Sequence, residues 1–531
     1  MKSKVFRFLI SVVLVSGIFI PTTNVHAAVI RYAMPTANGS GNCSSWDNAC
    51  TLQTALIGAL SGDEIWVAAG VHKPTTLTKD RTATFQLKVG VALYGGFAGT
   101  GTTRDPVTNP TILSGDIDNN DSKTPVITDI TTVTGNTTNS YHVVTGANDA
   151  TLDGFTITAG YTDEYGTEYG GGMYNKTSSP VVTNVIFRGN LANFGGGMCN
   201  DSSSPIITNV IFSNNLGEYD GGGMYNTTGS NPVMLDVTFS ENFAKELGGG
   251  IYNTNSSPAI TNITFIYNTA DFGGGMYNYN SNPALVSVFF SNNSAIGGGG
   301  IRNNKSNPVI TDTAFNNNLA TSGGGGMDNY ESDPELTNVT FSGNTANALG
   351  GGMYNEHSIP LLTNVTFSGN NARWNGGGIF NQNNSNLILS NVTFSNNSAD
   401  EGGGLYNALD SNSQITNSIF WGNTALSSGD QILNYNSTPS VNDSVIQGGC
   451  PAGSSCVDII ETDPVLGVLG NYGGYTQTIP LLPGSSAIDT GNNATCAATD
   501  QRGITRPQGA HCDIGAYEVG PNYSYLPLLL R

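Results

Sequence analysis

Charge is scarce in this chain. Only 11% of its 531 residues are Asp, Glu, Lys or Arg, and 19 basic residues face 39 acidic ones, for a net charge of −20. That balance argues against a nucleic-acid partner, since binding to phosphate rests on clustered Lys and Arg. Helical periodicity is missing as well: no stretch of the central region repeats apolar residues at helical spacing, which removes helical solenoids from consideration. Beyond the N-terminal segment no apolar run is long enough to cross a bilayer, so no transmembrane span is expected in the mature chain. Cysteine is confined to the ends apart from Cys199; the other six fall in the sequence-local pairs Cys43 with Cys50, Cys450 with Cys456, and Cys496 with Cys512. Pairs of that kind suit oxidised staples on irregular ends in an exported protein.

What the chain has in abundance is repetition. Between Gly170 and Asn407 a glycine run, an apolar residue, usually an aromatic, and then asparagine recur ten times, with the closing asparagines 25 to 27 residues apart. A period that constant means one unit stacked on itself. Between the glycine runs lies a second phrase, seen as PVVTNVIFRGN from Pro180 and PLLTNVTFSGN from Pro360. It is rich in β-branched and aromatic residues and flanked by turn formers.

Apolar residues at Ile260, Ile263 and Phe265 are spaced by three and then two, so Asn262 is read as a corner between strands that both point inward. Asn184, Asn209, Asn338 and Asn364 hold the same slot, a second corner is expected at the asparagine of each Phe-x-x-Asn, and a third after the glycine-run strand. Three short strands in about 25 residues make one coil whose neighbours pair in parallel at about 4.8 Å. The expected fold is therefore all-β: a right-handed, single-stranded parallel β-helix of three strands per coil, with columns of inward Phe, Val, Ile and Met and ladders of corner asparagine amides. The glycine run together with Phe-x-x-Asn resembles the repeat motifs of polymorphic outer-membrane proteins. From Leu152 to Ile446 the chain is also similar to the pectate-lyase-like β-helix superfamily, a fold that hosts lyases, hydrolases, adhesins and passenger domains alike.

Four segments follow. Residues 1–27 have a basic start, an apolar core and Val25-His26-Ala27 ahead of Ala28, which reads as a secretory signal peptide. Residues 28–150 form an N-terminal cap and atypical first coils, with LQTALIGAL placing Leu52, Ala55, Leu56 and Ala59 on one helical face over the open core. Residues 151–447 are the regular coils, and 448–531 a C-terminal cap ending in a short apolar tail. From Leu466 to Glu518 that last segment resembles the so-called choice-of-anchor region of β-helix surface proteins, with Asp489, Asp500, Arg502, Arg506, Asp513 and Glu518 read as structural ion pairs and hydrogen bonds.

Three places invite chemistry. Glu218, Asp220, Glu246 and Asp271, preceded by Asp163, Glu164 and Glu168, lie near the corner before the glycine run and define an acidic edge; converging carboxylates there would bind calcium or form an acid and base pair, against the plainer reading of a solvated rim. Asp116, Asp118 and Asn120 of GDIDNND match the first three spacings of a calcium loop, yet Asp121 stands where the turn glycine belongs and no closing glutamate follows. Calcium is the sole cofactor the sequence brings up. By alternation Tyr174, Tyr225, Tyr252, Tyr277, Tyr354, Phe380 and Tyr406 point outward in one strip, either a ladder that stiffens the sheet or a platform for sugar rings. The paired-aspartate, His-Gly and Arg-x-Lys signatures of polygalacturonases and the Arg-x-Pro-x-x-Arg pattern of pectate lyases are absent. The reading is a secreted or cell-surface β-helix protein, non-enzymatic, an adhesin or structural protein with glycans or proteins of the cell envelope as partners; the alternative is a polysaccharide lyase or hydrolase on the acidic edge.

Overall fold

The computed structural model describes residues 27–163 and 166–520; the signal-peptide segment, Glu164 and the apolar tail fall outside them. The chain winds into a right-handed parallel β-helix whose strands lie on three faces. The largest sheet has 24 strands, the glycine-run sheet has 13, and the third face carries sheets of three and six strands joined by bridges at Phe243, Thr269 and Ser294. Register is uniform: Asn226 pairs with Asn253, Asn253 with Asn278 and Asn278 with Asn303, so like residues stack coil upon coil.

The asparagine bend is as the spacing predicts. Asn184, Asn209, Asn262, Asn338 and Asn364 all have positive φ, a conformation that asparagine tolerates better than most residues. Ile260, Ile263 and Phe265 are accordingly all buried. In several coils the strand passes through the bend unbroken, as over Ile206–Ser213 and Ala259–Ile266.

The second corner differs from expectation. Its left-handed residue is the one before the asparagine, such as Gly189, Asn214, Asn292 or Asn317, while the asparagine itself turns inward and is buried. Asn215 shows why. Its Nδ2 donates to Phe187 O at 2.9 Å and to Asn242 Oδ1 at 3.0 Å, and its Oδ1 accepts from the backbone and side-chain nitrogens of Asn190 at 3.2 and 3.0 Å. The amide thus satisfies backbone groups that the corner strips from the sheet ladder. Residues between this corner and the glycine run, Leu191–Phe194 and its equivalents, supply the third face. A second amide ladder joins Asn175 to Asn434 through every glycine-run asparagine.

Inside, ten phenylalanines from Phe187 to Phe420 form a single stack, ring centroids 4.4 to 5.0 Å apart and planes within 9°. Helix α1 (Leu52–Gly58) starts at Thr51, whose Oγ1 accepts the Thr54 N–H, and buries Leu52, Ala55 and Leu56 in the same core as a lid on the first coils. All three cysteine pairs are disulfides, and Cys199 is free and buried.

After strand Ser455–Ile460 closes the last coil, the C-terminal region turns back and lies along the flank of the long sheet. Thr476 Oγ1 donates to Asn338 O at 3.1 Å, Thr366 Oγ1 to Gln501 Oε1 at 2.7 Å, and Gly515 N to Asn417 O at 2.8 Å. Thr340, Thr366, Thr393 and Ile419 beneath it are buried, whereas Ile186, Ile211 and Phe289 in the same row of earlier coils are exposed. Its own centre is polar: Arg506 donates to Asp513 O, Gly515 O and Glu518, while Arg502 clasps Asp500 and stacks on Tyr517. Arg506 Nε alone among these guanidinium and carboxylate atoms is buried without a partner.

Candidate functional site

Two rows of side chains face each other across the glycine run. The first is the residue before the run: Tyr169, Phe194, Asp220, Leu247, Phe272, Gly297, Gly323, Leu349, Asn375 and Glu401, each bridged to the next or, for Phe194 with Asp220 and Gly297 with Gly323, paired in strand register. The second is the outward residue after it: Tyr174, Cys199, Tyr225, Tyr252, Tyr277, Arg302, Asp328, Tyr354, Phe380 and Tyr406. Because the chain reverses tightly through the glycines, the rows meet in one longitudinal groove. Rings fill most of it: Tyr169 stacks on Tyr174 at 5.9 Å, Phe194 lies 5.4 Å from Tyr225, and Tyr354, Phe380 and Tyr406 form a cluster with Leu349. The aromatic strip therefore exists in the expected register but is roofed by the first row. Tyr252, Tyr277, Phe380 and Tyr406 are buried, and Tyr174, Tyr225 and Tyr354 half-buried.

The acidic edge is dispersed by the same geometry. Asp220 points into the groove and is buried, Glu218 pairs with Lys245, and Glu246 and Asp271 lie exposed outside. Among the described residues no three acidic, His or Cys side chains are placed to hold a metal ion. Burial, with the charge of Glu246 beside it, raises Asp220 from 3.8 to about 7, and a hydrogen bond from the Leu247 backbone offsets this only in part. The folded state thus binds a proton that the unfolded chain has already released: stability is full below the unfolded value and falls as pH rises toward 7. Asp220→Asn is expected to match the parent near pH 4 and to exceed it by about 2 kcal/mol near pH 8 in urea melts. Cys199 is sealed in the second row, where burial drives its thiol well up and leaves it unreactive.

Asp116, Asp118 and Asn120 are joined to one another through Asn120. Asp116 is buried and pairs with Lys73 at 3.7 Å while accepting the Asn120 N–H, and Asp118 accepts from the Asn120 side chain at 2.9 Å. The Lys73 ammonium supplies the positive charge there, donating also to Asn119 at 2.6 Å. Asp121, where the glycine of a calcium loop would stand, is buried, raised to about 6 by that burial and accepts from Asn139 at 2.9 Å.

The groove opens at a place that sequence reasoning passed over. In two consecutive coils the second row exchanges its aromatic for Arg302 and Asp328, and in the same coils the first row exchanges its bulky residue for Gly297 and Gly323. A notch of about 200 Å³ results, lined by Phe272, Arg302, Asp328, Tyr330, Tyr354 and Glu356 among others. Arg302 Nη1 donates to Asp328 Oδ2 at 2.9 Å, and its guanidinium carbon sits 4.4 Å above the Phe272 ring. Asp328 is only 3% exposed; burial raises it to about 6 despite the charge of Arg302. Arg302 Nε and Asp328 Oδ1 are buried with no hydrogen-bond partner. The signal was available in two columns read together: charge replacing an aromatic and glycine replacing bulk, in the same pair of coils.

A repeat model described as the Chlamydia polymorphic membrane protein repeat matches residues 236–254, 364–382 and 391–408, each segment running from the bend residue, Asp236, Asn364 or Asn391, through the glycine run. No curated protein matches the chain by sequence. Among solved structures the chain is similar to pectate lyase Pel9A, at 12% identity and TM-score 0.32 over 93% of this chain and 97% of that one. It is also similar to the PL6 family alginate lyase AlyGC, at 11% and 0.39 over 90% of this chain and 58% of that one. A third is the catalytic unit of the GH87 alpha-1,3-glucanase from Streptomyces thermodiastaticus strain HF3-3, at 9% and 0.27 over 82% and 68%. Likeness at this level carries no argument about activity.

Proposed function

We propose that this chain is an exported, cell-surface β-helix protein of adhesin or structural type that holds glycan in its longitudinal groove without cleaving it. The supporting observation is the notch at Arg302 and Asp328: a small concave site with aromatic walls and a few convergent polar groups, where both rows of the groove lose their bulk. The three matched repeat segments are in keeping with a place on the cell envelope. In the notch Asp328 is held in an ion pair with Arg302, an arrangement that favours holding a ligand over passing a proton to it. The second reading, a polysaccharide lyase or hydrolase, draws on Asp220, whose raised carboxyl beside Glu246 has the character of a general acid.

Mature protein incubated with neutral and acidic polysaccharides, with and without calcium, separates the two. Retention on glycan with no new reducing or unsaturated ends is the expected result. Product formation that Asp220→Asn abolishes would establish the enzyme instead.

A further inference from the structure

Resting on the glycan-binding reading, we infer that the notch takes one neutral sugar residue, seated on Tyr354 and held through its hydroxyls by Arg302 and Asp328, and rejects uronates. Space comes first. A Cβ at Gly297 would lie 2.6 Å from Asp328 Oδ2 and 2.7 Å from Arg302 Nη1, so any side chain there would displace the ion pair. At Gly323 a Cβ would stand 3.3 Å from Tyr354 Cγ; its absence uncovers the face of that ring. The ring is held in place, its hydroxyl donating to Glu356 at 2.9 Å and accepting from Gln382 at 2.5 Å. A fixed aromatic face beside polar groups is the arrangement that packs the C–H face of a pyranose while its hydroxyls reach sideways.

Hydrogen-bond inventory then selects the ligand. Beside the notch one acceptor, Asp328 Oδ1, and one donor, Arg302 Nε, lack partners and are closed to solvent, so a ligand meets them only as the ion pair shifts. A hydroxyl both donates and accepts, so sugar hydroxyls can answer both, whereas a carboxylate only accepts. Charge points the same way. The lining holds one cation, Arg302, against two carboxylates, Asp328 and Glu356, and Arg302 is already engaged. An incoming uronate would have to compete with Asp328 for the guanidinium while standing beside Glu356, on a chain whose net charge is −20.

The test is binding of the full mature chain to immobilised gluco-, manno-, galacto- and xylo-oligosaccharides, with polygalacturonate and alginate as acidic arms. Two variants accompany it. Gly323→Leu refills the notch with the residue that Leu247 and Leu349 already place in that row, and the pair R302Y/D328Y restores the aromatic found in neighbouring coils. At least one neutral series is expected to bind, and both variants to weaken it at least tenfold while melting within a few degrees of the parent. Binding of uronates in preference, lost in the same variants, overturns the ligand class and leaves the glycan reading standing. Neutral binding that survives both variants unchanged overturns the notch as the site. If no glycan in either arm is retained, the glycan-binding reading falls with it.

Discussion

Exchange of Asn318 for leucine is expected to cost about 4 kcal/mol of unfolding free energy, read as a lowered urea midpoint. Asn318 Oδ1 accepts from both the backbone N and the Nδ2 of Asn293 at 3.0 Å, and its Nδ2 donates to Phe290 O and Asn344 Oδ1, also at 3.0 Å. Leucine fills the space but leaves Asn293 N and Phe290 O buried without a partner, while Asn293 Nδ2 keeps Phe265 O and Asn344 Oδ1 keeps the backbone N–H of residue 318. A buried polar group stripped of its partner costs about 1 to 3 kcal/mol, and relaxation recovers only part of the sum. Exposed rungs behave differently. Asn307 Oδ1 accepts the Asp333 N–H at 2.6 Å on the surface, where water replaces it, so Asn307→Ala should cost less than about 1 kcal/mol. Equal losses at Asn307 and Asn318 would mean that the inner ladder is not what holds successive corners together.

This contrast also shows what the sequence could and could not convey. Period, strand phrase and inward columns follow from residue type alone, because Ile260, Ile263 and Phe265 announce a bend with both arms facing inward, and the cysteines pair with their neighbours in sequence. Which residue of the Phe-x-x-Asn corner takes the left-handed conformation was not legible. The last position is asparagine in every coil, whereas the one before it holds glycine, asparagine, Glu241 or Tyr267, and the choice is made by the backbone groups that the inner amide must satisfy. The aromatic strip was legible as a register, one residue per coil, but the depth of its burial was not. Alternation says where Tyr252 leaves its own strand, not that the other arm of the same coil lays Leu247 and Phe272 along the groove it enters. The docking of the C-terminal region left no clear trace in the outward row: Thr340, Thr366 and Thr393 meet the incoming chain, yet Thr238 and Thr264 hold the same row in earlier coils. Nothing in residues 462–519 themselves names that surface.

Phe315→Ala is the second substitution expected to cost about 4 kcal/mol, by a mechanism that stays local. The ring is fully buried between Phe290 and Phe341, with centroids at 4.9 and 4.6 Å and planes within 4°. The cavity left by truncation cannot close, because coil spacing is fixed from outside by strand pairing on every face. Thermal or urea melts measure the loss, and pairs of substitutions reveal how it spreads. Phe394 lies three coils further along the stack, at about 14 Å by the spacing of parallel strands, so the Phe315 and Phe394 losses should add. Phe290 touches Phe315 directly, and removing both merges two voids into one whose remaining walls have already lost a neighbour. That pair should therefore cost less than the sum of its parts by about 1 kcal/mol. Additivity at both separations would mean that each coil relaxes alone around its missing ring, and the uninterrupted stack would then contribute no more than ten independent burials.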